Sequence, residues 1–172
     1  MNSLKTHRYY PVHADSLGEA RPPRNLIAPE ESTRSRGHFE ILVQEFAIPP
    51  CILIAEDDED SRIMMRALLE FKGYRVIEAN DGPKTIEVAL EEQPLLLLLD
   101  LELPRLNGLE VARHLRRRQG TQDLAIVILS GHDPAKYRIT ALAAGCDSYL
   151  SKPIDFDRLD EILSCYAPIG KN

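Results

Sequence analysis

The sequence predicts an α/β protein built around a parallel sheet with helices on both faces. Short apolar runs, such as 95–99 and 124–129, alternate with stretches of helical hydrophobic periodicity. The runs lack the polar alternation of a one-sided sheet, so they are typical of strands buried on both faces. The strand–helix unit repeats five times. Right-handed crossovers then predict a doubly wound, three-layer fold with a five-stranded parallel sheet.

Each predicted strand is an apolar run bounded by polar or turn-forming residues. The predicted strands cover residues 51–55, 74–79, 95–100, 124–130 and 148–150. The run of five leucines at 95–99 is far shorter than the roughly 20 apolar residues of a membrane span. It is therefore interpreted as core.

The predicted helices have recognisable starts and stops. They cover residues 60–72, 83–92, 108–118, 134–144 and 155–165. Pro83 suits the first position of a helix, Asp155 suits an N-cap, and Gly73 and Gly145 suit C-terminal stops. Hydrophobic spacing predicts the inward faces of the first two helices as Ile63, Met64, Ala67, Leu68 and Phe71, and as Ile86, Ala89 and Leu90.

The N-terminal part has a different composition. Residues 1–48 are rich in proline and charge and are predicted to be a disordered extension. A short helix over 38–47 is possible within it, because four apolar residues there follow helical spacing. Residues 49–168 form the predicted folded domain.

Composition limits the function classes. The chain has 172 residues, a net charge of -6 and a pI of about 5.4, which gives no reason to expect a nucleic-acid partner. We also expect no membrane partner, because the N-terminus lacks the apolar stretch of a secretory signal. Cys51, Cys146 and Cys165 are widely spaced in apolar segments, which favours small buried side chains with free thiols in the cytoplasm.

Polar residues follow four of the predicted strands. Asp100 closes the third strand, Glu56 and Asp57 follow the first, Ser130 closes the fourth, and Lys152 follows the fifth. The C-terminal ends of parallel strands meet at one edge of the sheet, where open α/β folds bind ligands. We therefore expect these side chains to converge there.

This set of residues indicates phosphoryl chemistry. Clustered carboxylates repel each other, and Mg²⁺, which prefers oxygen ligands, resolves the repulsion. An aspartate such as Asp100 can attack a phosphoryl group to form an aspartyl phosphate. Lys152 would neutralise charge on the phosphoryl oxygens, and Ser130 could donate its hydroxyl to them.

From Cys51 to about Ala167 the chain resembles the receiver domain of two-component response regulators, of which the single-domain chemotaxis regulator is the simplest member. Ser130 follows Asp100 by 30 residues and Lys152 follows Ser130 by 22, spacings typical of that family. The residues that carry the resemblance are Glu56, Asp57, Asp100, Pro104, Asn107, Gly108, Ser130, Tyr149, Lys152 and Pro153. The resemblance implies a flavodoxin-like (βα)5 fold with strand order 2-1-3-4-5.

The resemblance also implies roles and partners. Asp100 would accept phosphate from a sensor histidine kinase or a histidine phosphotransfer protein. Mg²⁺ would be held directly by Asp57 and Asp100, through water by Glu56, and by the backbone carbonyl of Glu102. The remaining implied roles are pairing of Lys152 with the phosphoryl group, a cis Lys152–Pro153 bond, and a switch formed by Ser130 and Tyr149.

The output implied is contact with a downstream protein, which the sequence does not identify, because no DNA-binding output domain is recognisable. Glu102 and His132 stand at positions that influence phosphate lifetime in the family. Two alternatives stay open: a phosphatase of the haloacid dehalogenase type, in which Glu102 would be the acid/base, and a docking module that works without phosphorylation.

Overall fold

The computed structural model describes residues 48–169 of the chain. Five parallel strands form one sheet in the order β2-β1-β3-β4-β5. This confirms the predicted doubly wound α/β fold and its strand order. The strands are β1 (Cys51–Ala55), β2 (Arg75–Ala79), β3 (Leu96–Asp100), β4 (Ala125–Ser130) and β5 (Ser148–Ser151). The helix predicted over 38–47, and residues 1–47 of the predicted extension, lie outside the described residues.

Five helices connect and follow the strands, all within two residues of the predicted ends. They are α1 (Glu59–Phe71), α2 (Gly82–Glu92), α3 (Gly108–Arg116), α4 (Pro134–Ala143) and α5 (Phe156–Tyr166). An aspartate or asparagine caps the N-terminus of each helix, which satisfies backbone N–H groups that have no partner inside the helix. These caps are Asp58, Asp81, Asn107, Asp133 and Asp155. Within the described part of the chain, no helix is long and apolar enough to cross a bilayer.

The sheet separates two hydrophobic cores. Successive strand side chains point to opposite faces, so Leu97 and Leu99 pack with α2, α3 and α4, whereas Leu96 and Leu98 pack with α1 and α5. All four leucines are fully buried. Burial on both faces explains why the central strands are continuously apolar.

The predicted inward face of α1 is wrong. The helix buries Met65 and Leu69, whereas Phe71 is 91% exposed and Met64 is 52% exposed. Apolar residues occupy most of the circumference of α1, so periodicity alone does not define its buried side. The buried side is instead decided by packing, because Met65 and Leu69 lie in the core with Ile52 and Ile54 of β1. Arg66 next to them pairs with Glu78 on β2 at 2.7 Å.

The three cysteines are free. Cys51 and Cys146 are buried as predicted, and burial raises the pKa of the Cys146 thiol to about 12. Cys165 is exposed, which the apolar pattern around it did not indicate.

Arg116 links the chain segments that lead into β4 and β5, at the end of the sheet where the strands begin. Its guanidinium donates to the carbonyls of Leu124 at 2.6 Å and Gly145 at 2.7 Å, and it pairs with Asp147 at 2.7 Å. The same Asp147 oxygen accepts the backbone N–H of Ile126. Arg116 is therefore not a solvated residue at the end of α3, because backbone carbonyls of the segments before β4 and before β5 hold its side chain.

Arg116→Met should destabilise the domain by about 1–3 kcal/mol, because Asp147 and several backbone carbonyls lose their charged donor. The free energy of unfolding from urea titration measures this. Arg117→Met at the neighbouring exposed position should change it by less than about 0.5 kcal/mol. Equal effects of the two substitutions would contradict the role of Arg116.

Candidate phosphoryl-acceptor site

The register of the sheet brings the predicted site residues together. Ala55 is the register partner of Leu99, so Glu56, the residue after β1, lies beside Asp100 at the end of β3. Ser130 at the end of β4 is the register partner of Ser151, and Lys152 comes next. The site therefore follows from strand pairing rather than from a special loop.

An acidic cluster forms at this edge. Carboxylate oxygens of Glu56, Asp57 and Asp100 all lie within 4.8 Å of one another. Glu56 and Asp100 are buried, whereas Asp57 is exposed. Asp58 does not join them, because its Oδ1 accepts the backbone N–H of Ser61 at 2.8 Å and caps α1.

Lys152 bridges the two buried carboxylates. Its ammonium lies 2.6 Å from Glu56 Oε2 and 2.7 Å from Asp100 Oδ2. The other oxygen of Asp100, Oδ1, accepts the backbone N–H of Glu102 at 3.0 Å. The Lys152–Pro153 bond is cis, as the resemblance implied. Both acceptor oxygens are thus held by donors before any ligand arrives.

The protonation states follow from burial and partners. Burial raises the pKa of Glu56 to about 7, and nearby Asp100 adds to the effect while the Lys152 hydrogen bond opposes it. Burial also acts to raise the pKa of Asp100, but hydrogen bonds from Lys152 and the Glu102 amide outweigh it and lower that pKa. Burial acts to lower the pKa of Lys152, but its two carboxylate partners outweigh it and raise that pKa. Asp100 therefore stays ionised at neutral pH, whereas Glu56, with a pKa of about 7, is protonated in about half of the molecules near pH 7.

The cluster has the chemistry of a magnesium site. Three carboxylates face one lysine, which leaves excess negative charge, and carboxylate oxygens are the ligands that Mg²⁺ prefers. Within residues 48–169 this is the one group of three such side chains that could hold a metal ion. The predicted contribution of the Glu102 carbonyl stays a prediction.

His132 contacts both predicted switch residues, Ser130 and Tyr149. The sequence analysis did not predict this connection. The buried Ser130 hydroxyl lies 3.1 Å from His132 Nδ1 and accepts the His132 backbone N–H at 3.1 Å. The hydroxyl of the half-buried Tyr149 donates to the His132 carbonyl at 2.9 Å. His132 Nε2 also lies 3.5 Å from the Glu102 carboxylate. The available signal was the position of His132 two residues after Ser130, which suits a local side-chain turn.

Comparison with known proteins identifies the class that this fold and site define. Residues 52–164 match the response regulator receiver domain family. The chain belongs to that family, the receivers of two-component signalling systems, and the predicted resemblance is confirmed.

Individual relatives support the assignment. The chain is 42% identical over 108 residues to the response regulator MprA of Mycobacterium leprae, an alignment that covers 63% of this chain and 46% of MprA. The receiver domain of sensor histidine kinase PA1611 from Pseudomonas aeruginosa, solved with a magnesium ion in its active-site cleft, matches with a TM-score of 0.64 and 28% identity over 69% of this chain and 98% of the domain. The chemotaxis protein CheY4 of Vibrio cholerae shares the fold, with a TM-score of 0.65 and 22% identity over 69% of this chain and 99% of CheY4. The chain spans about half the length of the curated relatives it matches.

Proposed function

We propose that this chain accepts a phosphoryl group on Asp100 from a phosphohistidine and signals through the resulting change of its surface. The donor would be a sensor histidine kinase or a histidine phosphotransfer protein. The observation that carries the proposal is the bridge of Lys152 between Glu56 and the ionised Asp100, beside Asp57. The family assignment favours this reading over a haloacid-dehalogenase-type phosphatase.

The residues of the site suit in-line phosphoryl transfer. An ionised Asp100 oxygen would form the new O–P bond as the N–P bond to the donor histidine breaks, which leaves the electron pair on the imidazole. Lys152, already 2.7 Å from Asp100 Oδ2, would pair with a phosphoryl oxygen. The Glu102 amide holds Asp100 Oδ1 and so fixes the orientation of the carboxylate.

Asp57 and Asp100 would hold Mg²⁺ directly, with Glu56 acting through water and the Glu102 carbonyl as a further ligand. The bound ion would offset the negative charge of the phosphoryl oxygens. On this proposal the chain turns over no separate substrate and is not an enzyme, apart from catalysing its own phosphorylation and dephosphorylation. A cytoplasmic location and the absence of a nucleic-acid partner stay predictions.

A pocket beside the acceptor offers a place for the phosphodonor. A cavity of about 230 Å³ lies next to Lys152 and is lined largely by apolar side chains, including Met64, Met65, Pro153 and Ile154. The exposed Met64 side chain of α1 would then form part of the surface that the phosphodonor contacts. A partner that presents a phosphohistidine to Asp100 can bury apolar surface there.

Incubation of the chain with Mg²⁺ and acetyl phosphate should test the acceptor role. We expect one added phosphate, a mass gain of about 80 Da, that hydroxylamine removes as it does from an acyl phosphate. Intact-protein mass spectrometry measures this. No uptake from acetyl phosphate or from a phosphorylated phosphotransfer protein would contradict the proposal and would favour the docking module.

The output face should lie around α4, β5 and α5. Ser130 ends β4 and Tyr149 lies in β5, so movement of the switch reaches the adjoining helices first. α4 is suited to change because it buries only Ala141, while Ile139 is 75% exposed. An exposed apolar side chain on a weakly buried helix gives the downstream protein an apolar surface to contact.

Amide hydrogen exchange with and without beryllofluoride, a phosphoryl mimic, should show changes within residues 134–166. The exchange of α2, which connects β2 to β3 on the other side of the sheet's centre from β5, should stay constant. A full reversal between inactive and active states requires about 5.5 kcal/mol of differential stabilisation, to which charged hydrogen bonds from Ser130 and Lys152 would contribute. Changes confined to α1 would show that the chain signals through another surface.

A further inference from the structure

The loop over residues 101–107, between β3 and α3, packs tightly against the start of α2. The backbone N–H of Gly82 donates to the carbonyl of Pro104 at 3.3 Å. A Cβ atom on Gly82 would lie only 2.4 Å from the carbonyl oxygen of Leu106. The position of this loop therefore depends directly on the position of residues 81 and 82.

Asp81 binds both the helix and the loop. It is 5% exposed, and its Oδ1 accepts the backbone N–H of Lys84 at 2.8 Å, which caps α2. Its Oδ2 pairs with the guanidinium of Arg105, a residue of the loop. A buried carboxylate is costly without a charged or hydrogen-bonding partner, and the ammonium of Lys84 is directed to Glu87 instead. Arg105 is therefore the cation that Asp81 uses.

The backbone of Arg105 supports this assignment. Its φ angle is 69°, in the left-handed region that favours glycine. An arginine held in that conformation needs compensation from its surroundings. The contact with Asp81 provides it, because a glycine there would fit the backbone but could not bind the carboxylate.

The same loop controls the acceptor carboxylate. Its Glu102 N–H binds Asp100 Oδ1 at 3.0 Å. At its other end Gly108 donates to the Leu101 carbonyl at 3.0 Å. A Cβ on Gly108 would lie 2.4 Å from the Asp100 carbonyl oxygen. A loop clamped so closely at both ends transmits a shift at Arg105 to the Glu102 amide.

We propose that Asp81 is a positioning residue for phosphoryl acceptance. Acting through Arg105, it holds the loop over 101–107 so that the Glu102 amide stays on Asp100 Oδ1 and orients the attacking carboxylate. The inference rests on the proposed function of Asp100.

Asp81→Asn tests the proposal, because asparagine caps helices as well as aspartate but lacks the charge that binds Arg105. We expect the rate of phosphorylation by acetyl phosphate to fall at least about fivefold, with the melting temperature nearly unchanged. In the metal-free and phosphate-free protein, amide exchange at Glu102 should accelerate by a similar factor, a change that loss of a merely structural contact elsewhere would not cause.

Variants of Arg105 test the same proposal from the other side of the ion pair. Arg105→Ala should reproduce both effects, the double variant with Asp81→Asn should add little, and Arg105→Lys should recover part of the rate. Should Asp81→Asn fail to fold, Arg105→Ala carries the test, since the Arg105 side chain is 66% exposed. Glu87→Gln, which removes the Lys84 ion pair from the same helix, is the matched control and should leave both readouts unchanged.

The two proposals fail in different ways. Wild-type protein that takes up phosphate on Asp100, together with variants of Asp81 and Arg105 that match it in rate and in Glu102 exchange, would overturn the positioning role. Wild-type protein that takes up no phosphate would overturn the proposed function itself.

Discussion

Asp100→Asn is expected to take up no phosphate under conditions in which the wild-type chain takes up one. Asparagine keeps the size of the side chain and still offers an oxygen to Lys152, so the local structure should persist. An amide oxygen has no negative charge to attack phosphorus, and the acyl phosphate cannot form. The loss should exceed about a hundredfold in initial rate, measured with acetyl phosphate and Mg²⁺ by intact mass.

Asp160→Asn is a matched control for this experiment. Asp160 lies on the exposed side of α5, where it pairs with Lys72, far in the sequence from the acceptor. This variant should accept phosphate at the wild-type rate. Peptide mapping should place the phosphate on Asp100. Phosphate found on Ser130 in the wild type would contradict the mechanism.

The fold was predictable because its central strands are buried on both faces. The leucines of β3 serve two cores at once, so this segment cannot tolerate polar residues and is recognisable without tertiary information. Turn residues such as Gly73 and Gly145, which have φ angles of 92° and 94°, mark helix ends in the same local way. Both signals depend only on residues that are neighbours in the sequence, so they can be recognised without knowing the tertiary structure.

The convergence of the site was predictable for a related reason. In a parallel sheet all strands end at one edge, so residues that end or follow strands meet without any knowledge of side-chain contacts. Glu56, Asp100 and Lys152 meet in this way, because strand pairing aligns the positions immediately before them. The roles assigned to them remain predictions until phosphorylation is measured.

Contacts between distant segments were not predictable. The ion pair of Arg116 with Asp147 spans 31 residues, and nothing in the local sequence distinguishes Arg116 from the two arginines that follow it. The buried face of α1 was mispredicted for the same reason, since it depends on the packing of Met65 and Leu69 against residues of the sheet and of α5. When apolar residues occupy most of a helix surface, contacts with residues distant in the sequence decide which face is buried.

Mg²⁺ affinity should rise about tenfold between pH 6 and pH 8. Glu56 has a pKa of about 7 in the folded, metal-free protein, so it is mostly protonated at the lower pH and mostly ionised at the higher. A carboxylate must lose its proton before it can hold a cation, directly or through water. Because the folded pKa exceeds the ordinary value of 4.5, Glu56 stabilises the metal-free fold fully at acidic pH, and this contribution is lost as the pH rises through 7.

Isothermal titration with Mg²⁺ at several pH values, in buffers of different ionisation enthalpy, measures both the affinity and the proton released. Near pH 7 binding should release about half a proton per ion. Glu56→Gln has no proton to lose, so its affinity should be lower at pH 8 and nearly constant with pH. Asp57→Asn should also bind more weakly but should keep the wild-type pH slope, because Glu56 still titrates. An unchanged slope in Glu56→Gln would assign the proton to another group and remove Glu56 from the metal site.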